Sequence, residues 1–325
     1  MRVLVTGGAG FIGSHLTDAL LARGDEVAAL DDLSPGPAGR LDPRVTLHKL
    51  SITDAAALTS AVQAFRPELI CHLAAQIDVR ASVDAPADDA EVNILGTINL
   101  LEAARAAGAR ILFASSGGAM YGRDAPIPSP EDVPPLPESP YGIAKYCAEQ
   151  YIALYNRLHR TRHSVLRLAN VYGPRQDPAG GAGVITIFCA SALAGTQPTI
   201  YGDGTQTRDY VYVDDAVRAF LAAGDDGRPG TWNIGTGVEV SVLDLAAIVA
   251  DVAGQEMRPR FAPPRAGELP RSAIAVDRAA SELGWHAATP LAEGVRRVYR
   301  WIEAGAHDRA PARPDLPGAS SASSS

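Results

Sequence analysis

Lysine is nearly absent from this 325-residue chain: Lys49 and Lys145 are the only two among 29 basic residues, so the remaining positive charge is arginine. Cysteine is scarce too, and its three copies, Cys71, Cys147 and Cys189, lie in apolar segments without paired spacing. That excludes a disulfide framework and a thiolate zinc site, and it is the pattern of free thiols in a reducing compartment. Seven histidines are scattered with no metal-ligand spacing, and His72, inside an apolar run, reads as a core residue, so no metal is expected. No apolar run approaches the ~18 residues of a membrane span. The opening "MRVLVTGG" passes straight into a strand and a glycine turn, unlike a signal peptide, and predicts a cytoplasmic protein. Excess positive charge is also missing. A net charge of −8 and a pI near 5.4 argue against nucleic acid or an anionic membrane as partner, so any phosphate must be held by local groups.

What is present is enough apolar material, 46% of residues, for one large domain or two coupled ones. Through the first half, short apolar runs alternate with helical patterns. "RVLVTG", "EVAALDD", "VTLHKL", "ELICHLAA" and "ARILFASSG" read as strands. "SHLTDALLARG", "DAAALTSAVQAF" and "EVNILGTINLLEAARAAG" read as helices between them. A proline-rich loop from Pro126 to Pro140 leads into a helix beginning "PYGIAK", and "HSVLRLANVYG" follows as a strand. Near-continuous apolar strands separated by helices predict an α/β fold, a Rossmann-like doubly wound parallel sheet. Beyond Tyr172 the pattern loosens: a glycine-rich loop, a helix over "VITIFCASALAG", a strand, turn and strand over "PTIYGDGTQTRDYVYVDD", and two closing helices. This predicts a cofactor-binding domain over 1–171 with a returning segment near 207–237, and a smaller C-terminal substrate-binding domain from 172–206 and 238–305. The Pro, Ala and Ser-rich stretch 306–325 reads as a disordered tail.

"VTGGAGFIGSHL" places glycines at 7, 8, 10 and 13 between a strand and a helix, where a tight turn, close approach to a pyrophosphate and helix packing each require them. The next strand ends in Asp31, eighteen residues after Gly13. A carboxylate there accepts ribose hydroxyls and repels a 2′-phosphate, which favours NAD over NADP. Tyr141 and Lys145 lie four apart on a helix and so share a face. The strand before them ends in "ASSGG", at the edge where an open α/β sheet places its ligand. A serine hydroxyl, a tyrosine and a lysine beside a nicotinamide form an acid–base set. The ammonium and the nicotinamide cation are both expected to draw the phenol towards neutrality.

Nine stretches recurring in order carry a resemblance over residues 1 to about 304. They are "TGGAGFIGSHL", "LDDLS", "HLAAQ", "VNILGT", "SSGGAMYG", "SPYGIAK", "LRLANVYGPRQ", "YGDGTQTRDYVYVDD" and "NIGTG". They resemble the extended short-chain dehydrogenase/reductase family and, within it, the enzymes that epimerise UDP-hexoses at C4. The resemblance implies that Gly7, Gly10, Phe11, Ile12 and Gly13 cradle the pyrophosphate of NAD. It places Asp31, Asp32 and Ser34 at the adenosine ribose, and Ser51 and Ile52 beside the adenine. Leu73, Ala74, Ala75 and Gln76 fall on the nicotinamide side, with Asn93 and Ser115 nearby. Ser116, Tyr141 and Lys145 match the catalytic set. Asn170, Val184, Tyr201, Arg208, Arg265 and Glu268 match contacts to the sugar nucleotide. Ser272 matches a place where a bulky residue excludes a 2-N-acetyl group. Aligned on Tyr121 and Gly122, Gly117 falls where the catalytic hydroxyl often stands, leaving Ser116 as the nearest candidate and Ser115 behind it. A homodimer through two long helices is also implied.

Gly117 and Gly118 separate the possible reactions. A 4,6-dehydratase needs an acidic pair just after the hydroxyl residue, and glycines can neither remove the C5 proton nor protonate a departing C6 hydroxyl. An enzyme acting on a glucuronate needs a cation for the C6 carboxylate, and Arg175, the nearest candidate, belongs more naturally to the "YGPRQ" loop. The expectation is redox-neutral C4 epimerisation of a UDP-hexose through a transient 4-keto sugar. A glucuronate 4-epimerase, a net 4-keto reductase or dehydrogenase, and a non-catalytic NAD-binding sensor remain as alternatives.

Overall fold

The computed structural model describes residues 1–34, 40–177, 183–264 and 269–305. The expected tail at 306–325, Arg265 and Glu268 lie outside the described residues. Six strands, β1 (Arg2–Thr6), β2 (Glu26–Asp31), β3 (Thr46–Lys49), β4 (Leu69–His72), β5 (Arg110–Ser116) and β6 (Ser164–Leu168), are joined by a seventh, Thr231–Ile234, in one sheet. Its spatial order is Thr231–Ile234, β6, β5, β4, β1, β2, β3, and every neighbouring pair is parallel. The strands are buried on both faces because residues alternate sides: Val3 and Val5 join one apolar cluster and Leu4 the other. The chain runs outward from β1 to β3, then crosses back to β4 on the other side of β1. That reversal opens a crevice at the carboxyl ends of β1 and β4.

Several elements differ from expectation. "HSVLRLANVYG" is two strands, because after β6 the chain leaves the sheet at Ala169 and Asn170–Tyr172 pairs in parallel with Tyr210–Tyr212. "PTIYGDGTQTRDYVYVDD" holds strands on both sides of a turn, but they pair elsewhere: Thr199–Tyr201 with Arg260–Ala262, and Thr207–Arg208 with Val240–Ser241. These pairings are long-range, so no local pattern announces them. The helix expected over 91–108 opens as a wide π turn, Glu91–Leu95, before Gly96–Ala107, and two short helices, Val79–Asp84 and Pro86–Ala90, precede it. Gly96 is required there, since a Cβ would lie 2.7 Å from Ile52 Cδ1. The helix Val213–Asp226 and the strand Thr231–Ile234 are not evident in the sequence pattern, although Val213, Ala216, Val217, Ala219 and Phe220 bury one helix face.

Candidate active site

The helix Phe11–Arg23, α1, starts directly from β1, with Gly10 as an N-cap that has no side chain to bond the first amides and no acid in the first turn. Its free N–H groups therefore face the crevice as an anion site. Gly7 has φ +69°, and a Cβ on it would stand 2.7 Å from the Ala74 amide nitrogen; one on Gly13 would stand 2.1 Å from the Gly7 carbonyl oxygen. Neither place admits a side chain. Asp31, at the end of β2 and 7% exposed, accepts the Ala9 N–H at 2.9 Å and the Leu33 N–H at 2.8 Å. Burial pushes its carboxyl up, and those amides oppose the push. The carboxylate thus holds the glycine turn in shape and keeps lone pairs for further donors. Asp32 and Ser34 are exposed and joined by a 2.9 Å bond from the Ser34 N–H. Ser51 is partly exposed, whereas Ile52 is buried beneath Gly96. Glycine cradle, bare helix terminus and terminal acid together fit a dinucleotide such as NAD.

Leu73, Ala74, Ala75 and Gln76 continue β4 along the crevice and are all partly exposed. Thr6 Oγ1 accepts the Ala74 N–H at 3.2 Å and meets His72 Nδ1 at 2.8 Å, while His72 Nε2 meets Thr97 Oγ1 at 3.0 Å. His72 is thus a fully partnered core residue. Asn93 is not free to face a nicotinamide. It is 3% exposed, its amide oxygen accepts the Gln76 N–H, and its amide nitrogen donates to the Gln76 carbonyl and to Asp89. The expected cofactor contact of Asn93 is therefore corrected to a support of Gln76.

Ser139 caps the helix Pro140–His159 by accepting the Gly142 N–H at 3.1 Å, with Pro140 in its first turn. This sets Tyr141 and Lys145 over the end of β5. Ser116 ends β5 beside the Tyr141 phenol, where its hydroxyl favours the ionised form. Lys145 is 4% exposed and donates to the Ala114 carbonyl at 3.0 Å, with Nζ 4.8 Å from the Phe113 ring centre and 5.8 Å from that of Tyr141. Burial lowers the ammonium to about 8, against the charges of Asp89 and Glu149. The chain alone does not draw the phenol towards neutrality: burial pushes Tyr141 up to about 12, the Ser116 hydrogen bond opposes this, and Asp89 adds to it.

The pleat separates the two serines. Ser115, 4% exposed, donates to Glu149 Oε1 at 2.6 Å, and Glu149 in turn pairs with Arg167 at 2.7 Å. Its hydroxyl points away from the crevice, which corrects the expected cofactor contact and leaves Ser116 as the hydroxyl beside Tyr141. A Cβ on Gly117 would lie 2.7 Å from Ile274 Cδ1, so a side chain there would require Ile274 to shift. Beside Gly118 lies Asn170, whose Oδ1 is 3.4 Å from where a Cβ would stand. Arg208 donates to the Thr207 carbonyl at 2.7 Å and the Leu269 carbonyl at 2.9 Å. Val184 opens the helix Val184–Leu193, Tyr201 ends its strand exposed, and Ser272 is partly exposed in a segment tied to the β5 side by the Ser129 N–H bond to Ala273 at 2.9 Å. Arg175, at φ +68°, pairs with Asp18 on α1 at 2.8 Å, an ion pair that ties its loop to that helix. Sequence reasoning missed Asp89, Glu149 and Arg167. The signal available was charge in apolar surroundings: Arg167 interrupts "SVLRL", and Glu149 follows Lys145 by four, on the helix face that also carries Ala148 and Ile152.

The model of the NAD dependent epimerase/dehydratase family matches residues 3–235. The UDP-glucose 4-epimerase of Mycolicibacterium smegmatis is 48% identical over 308 residues, spanning 93% of this chain and 98% of that one. The UDP-glucose 4-epimerase of Thermotoga maritima, solved with UDP-glucose, superposes with a TM-score of 0.92 at 42% identity, covering 94% of this chain and 100% of the other. That of Thermus thermophilus, solved with NAD, gives a TM-score of 0.88 at 41% identity over 93% and 99% of the two chains. Glycine cradle, tyrosine–lysine helix and overall match agree, and the chain belongs to the NAD dependent epimerase/dehydratase family.

Proposed function

We propose that this chain interconverts the C4 epimers of a UDP-hexose while keeping NAD bound, with Ser116, Tyr141 and Lys145 as its catalytic residues. The observation that carries the reading is the seating of the tyrosine–lysine turn on the carboxyl end of β5, where Lys145 is held on the Ala114 carbonyl and Ser116 ends the strand, followed by two residues without side chains. Held by the glycine cradle and Asp31, NAD would supply reversible hydride acceptance at C4 and a positive ring that favours the phenolate. The Tyr141 oxygen takes the C4 hydroxyl proton and later gives it back. Ser116 donates to the C4 oxygen where charge develops. Lys145, fixed on the Ala114 carbonyl, holds positive charge beneath the phenol. The 4-keto sugar must turn between the two half-reactions, so the grip has to fall on the diphosphate, the role assigned to Arg208 and Arg265, with Asn170, Val184, Tyr201 and Glu268 around the nucleotide and sugar. Gly117 and Gly118 supply no acid or base for elimination at C5 and C6, so the keto sugar can only be reduced again.

Residues 1–171 with 207–237 would hold the cofactor, and 172–206 with 238–305 the sugar nucleotide. The small side chain of Ser272 favours acceptance of UDP-N-acetylglucosamine beside UDP-glucose and UDP-galactose. A homodimer through Gly96–Ala107 and Pro140–His159, in the cytoplasm, completes the proposal. Ile143, Leu154 and Leu158, 51%, 40% and 65% exposed, fall along one face of the second helix and support it. Sedimentation would report a dimer that Leu154→Glu dissociates; an unchanged monomer would refute the pairing.

The purified protein, without added coenzyme, is incubated separately with UDP-galactose, UDP-N-acetylglucosamine and UDP-glucuronate and followed by proton NMR. Approach to a stable mixture of C4 epimers, lost in Tyr141→Phe, supports the reading and ranks the sugars. Conversion only with stoichiometric use of added coenzyme would make the protein a reductase or dehydrogenase instead.

A further inference from the structure

The buried charges around Lys145 do not balance pairwise. Glu149, one turn along the same helix, is matched by Arg167 from β6. His72, on β4, is held neutral because burial drives it far below its ordinary value. Tyr141, on the same helix, is a phenol. Asp89, from the helix Pro86–Ala90, has no such match. It is 1% exposed, its Oδ1 accepts only the side-chain amides of Gln76 and Asn93, at 2.9 Å each, and its Oδ2 is buried without a partner. Among the described residues no guanidinium or ammonium lies within ion-pair distance of it. A carboxylate buried among neutral amides is costly unless a positive charge faces it. The helix Pro86–Ala90 packs against Pro140–His159, and Asp89 lines one cleft with Ala144, the residue before Lys145. Lys145 is thus the buried cation of the helix facing Asp89, and its own hydrogen bond goes to the neutral Ala114 carbonyl.

We propose that Asp89 is the counter-charge of Lys145, acting across the site without contact: a positioning residue that keeps the ammonium charged while Tyr141 exchanges its proton. The purpose of this arrangement rests on the epimerase reading, whereas its electrostatics do not. Burial leaves Lys145 titrating not far above neutrality, and Asp89 is the larger of the two charges that oppose it. Deleting an anion lowers the proton affinity of its neighbours. Both the ammonium and the phenol should then lose their protons at lower pH.

The scarcity of lysine makes the test direct. In protein grown with isotope-labelled lysine, NMR shows two side-chain signals, Lys49 and Lys145, assigned by Lys145→Arg. In Asp89→Asn the Lys145 midpoint should fall by about one pH unit, the scale on which a single charge acts across a protein interior. The Lys49 signal should stay, and Asp88→Asn, at the exposed neighbour, should move neither. The alkaline limb of the epimerisation rate should move to lower pH with it. An Lys145 midpoint unmoved or raised in Asp89→Asn, with the fold verified by circular dichroism, overturns the proposal. Should that variant not fold, Asp89→Ser removes the same charge and must produce the same shift. If wild-type protein converts no UDP-hexose at any pH, the epimerase reading fails, and the lysine titration still decides the role of Asp89.

Discussion

At the residue scale, two adjacent serines have been given different tasks by the side of the strand on which each falls. Ser116 ends β5 beside Tyr141, and Ser115 donates to the buried Glu149. Ser116→Ala should lower kcat by about 10²–10³-fold, the cost of losing one donor to developing oxygen charge, with stability little changed. Ser115→Ala should do the reverse. It removes a donor from a buried carboxylate that still has Arg167, so unfolding in urea should show a loss of about 1–3 kcal/mol while kcat stays near wild type. Equal kinetic damage from both would refute the assignment. The motif "ASSGG" contained both hydroxyls, but a strand pattern does not say which face looks into a crevice until the sheet order is known.

At the scale of elements, the helix Pro140–His159 is held to β6 by a buried ion pair. Arg167 donates to Glu149 through Nε at 3.0 Å and Nη2 at 2.7 Å, and through Nη1 to the Tyr121 hydroxyl at 2.8 Å, which donates to Asn233 Oδ1 at 3.1 Å. This network joins the catalytic helix to the last strand of the sheet and to the loop carrying Ser129, whose carbonyl accepts the Asn233 amide at 2.9 Å. Arg167→Met strands a buried carboxylate and should cost about 3–5 kcal/mol; adding Glu149→Gln should restore a large part. Equilibrium urea unfolding of the single and double variants checks both figures, and equal stability of the two would mean that the charges are not coupled. The catalytic helix itself was legible from Ser139, Pro140 and the four-residue spacing. Its anchor was not, because Glu149 and Arg167 meet across 18 residues of chain and two elements.

For the whole molecule, two buried histidines give the fold a built-in acid limit. Burial drives His72 to about 3 and His163 to about 4, against 6.5 in an open chain. Both stay neutral in the folded state while the unfolded chain gains protons, so their contribution is complete above pH ~6.5 and is lost as pH falls towards their folded values. Between pH 7 and pH 5 each should cost about 2 kcal/mol. In urea unfolding at the two pH values, His163→Gln should lose about 2 kcal/mol less than the parent; a variant as acid-sensitive as the parent would remove His163 from the account. The sequence by itself determined the alternation that builds the parallel sheet, the glycine turn, the acid after the second strand and the tyrosine–lysine turn. All of these are local, set by periodicity and by backbone positions that admit no Cβ. Only the tertiary structure decided that Ser116 is the hydroxyl beside Tyr141, that Asn93 serves Gln76, and that Asp89 is buried with one carboxylate oxygen free of hydrogen bonds. Each of these depends on which side chains meet across distant strands and helices, and the sheet order decides that.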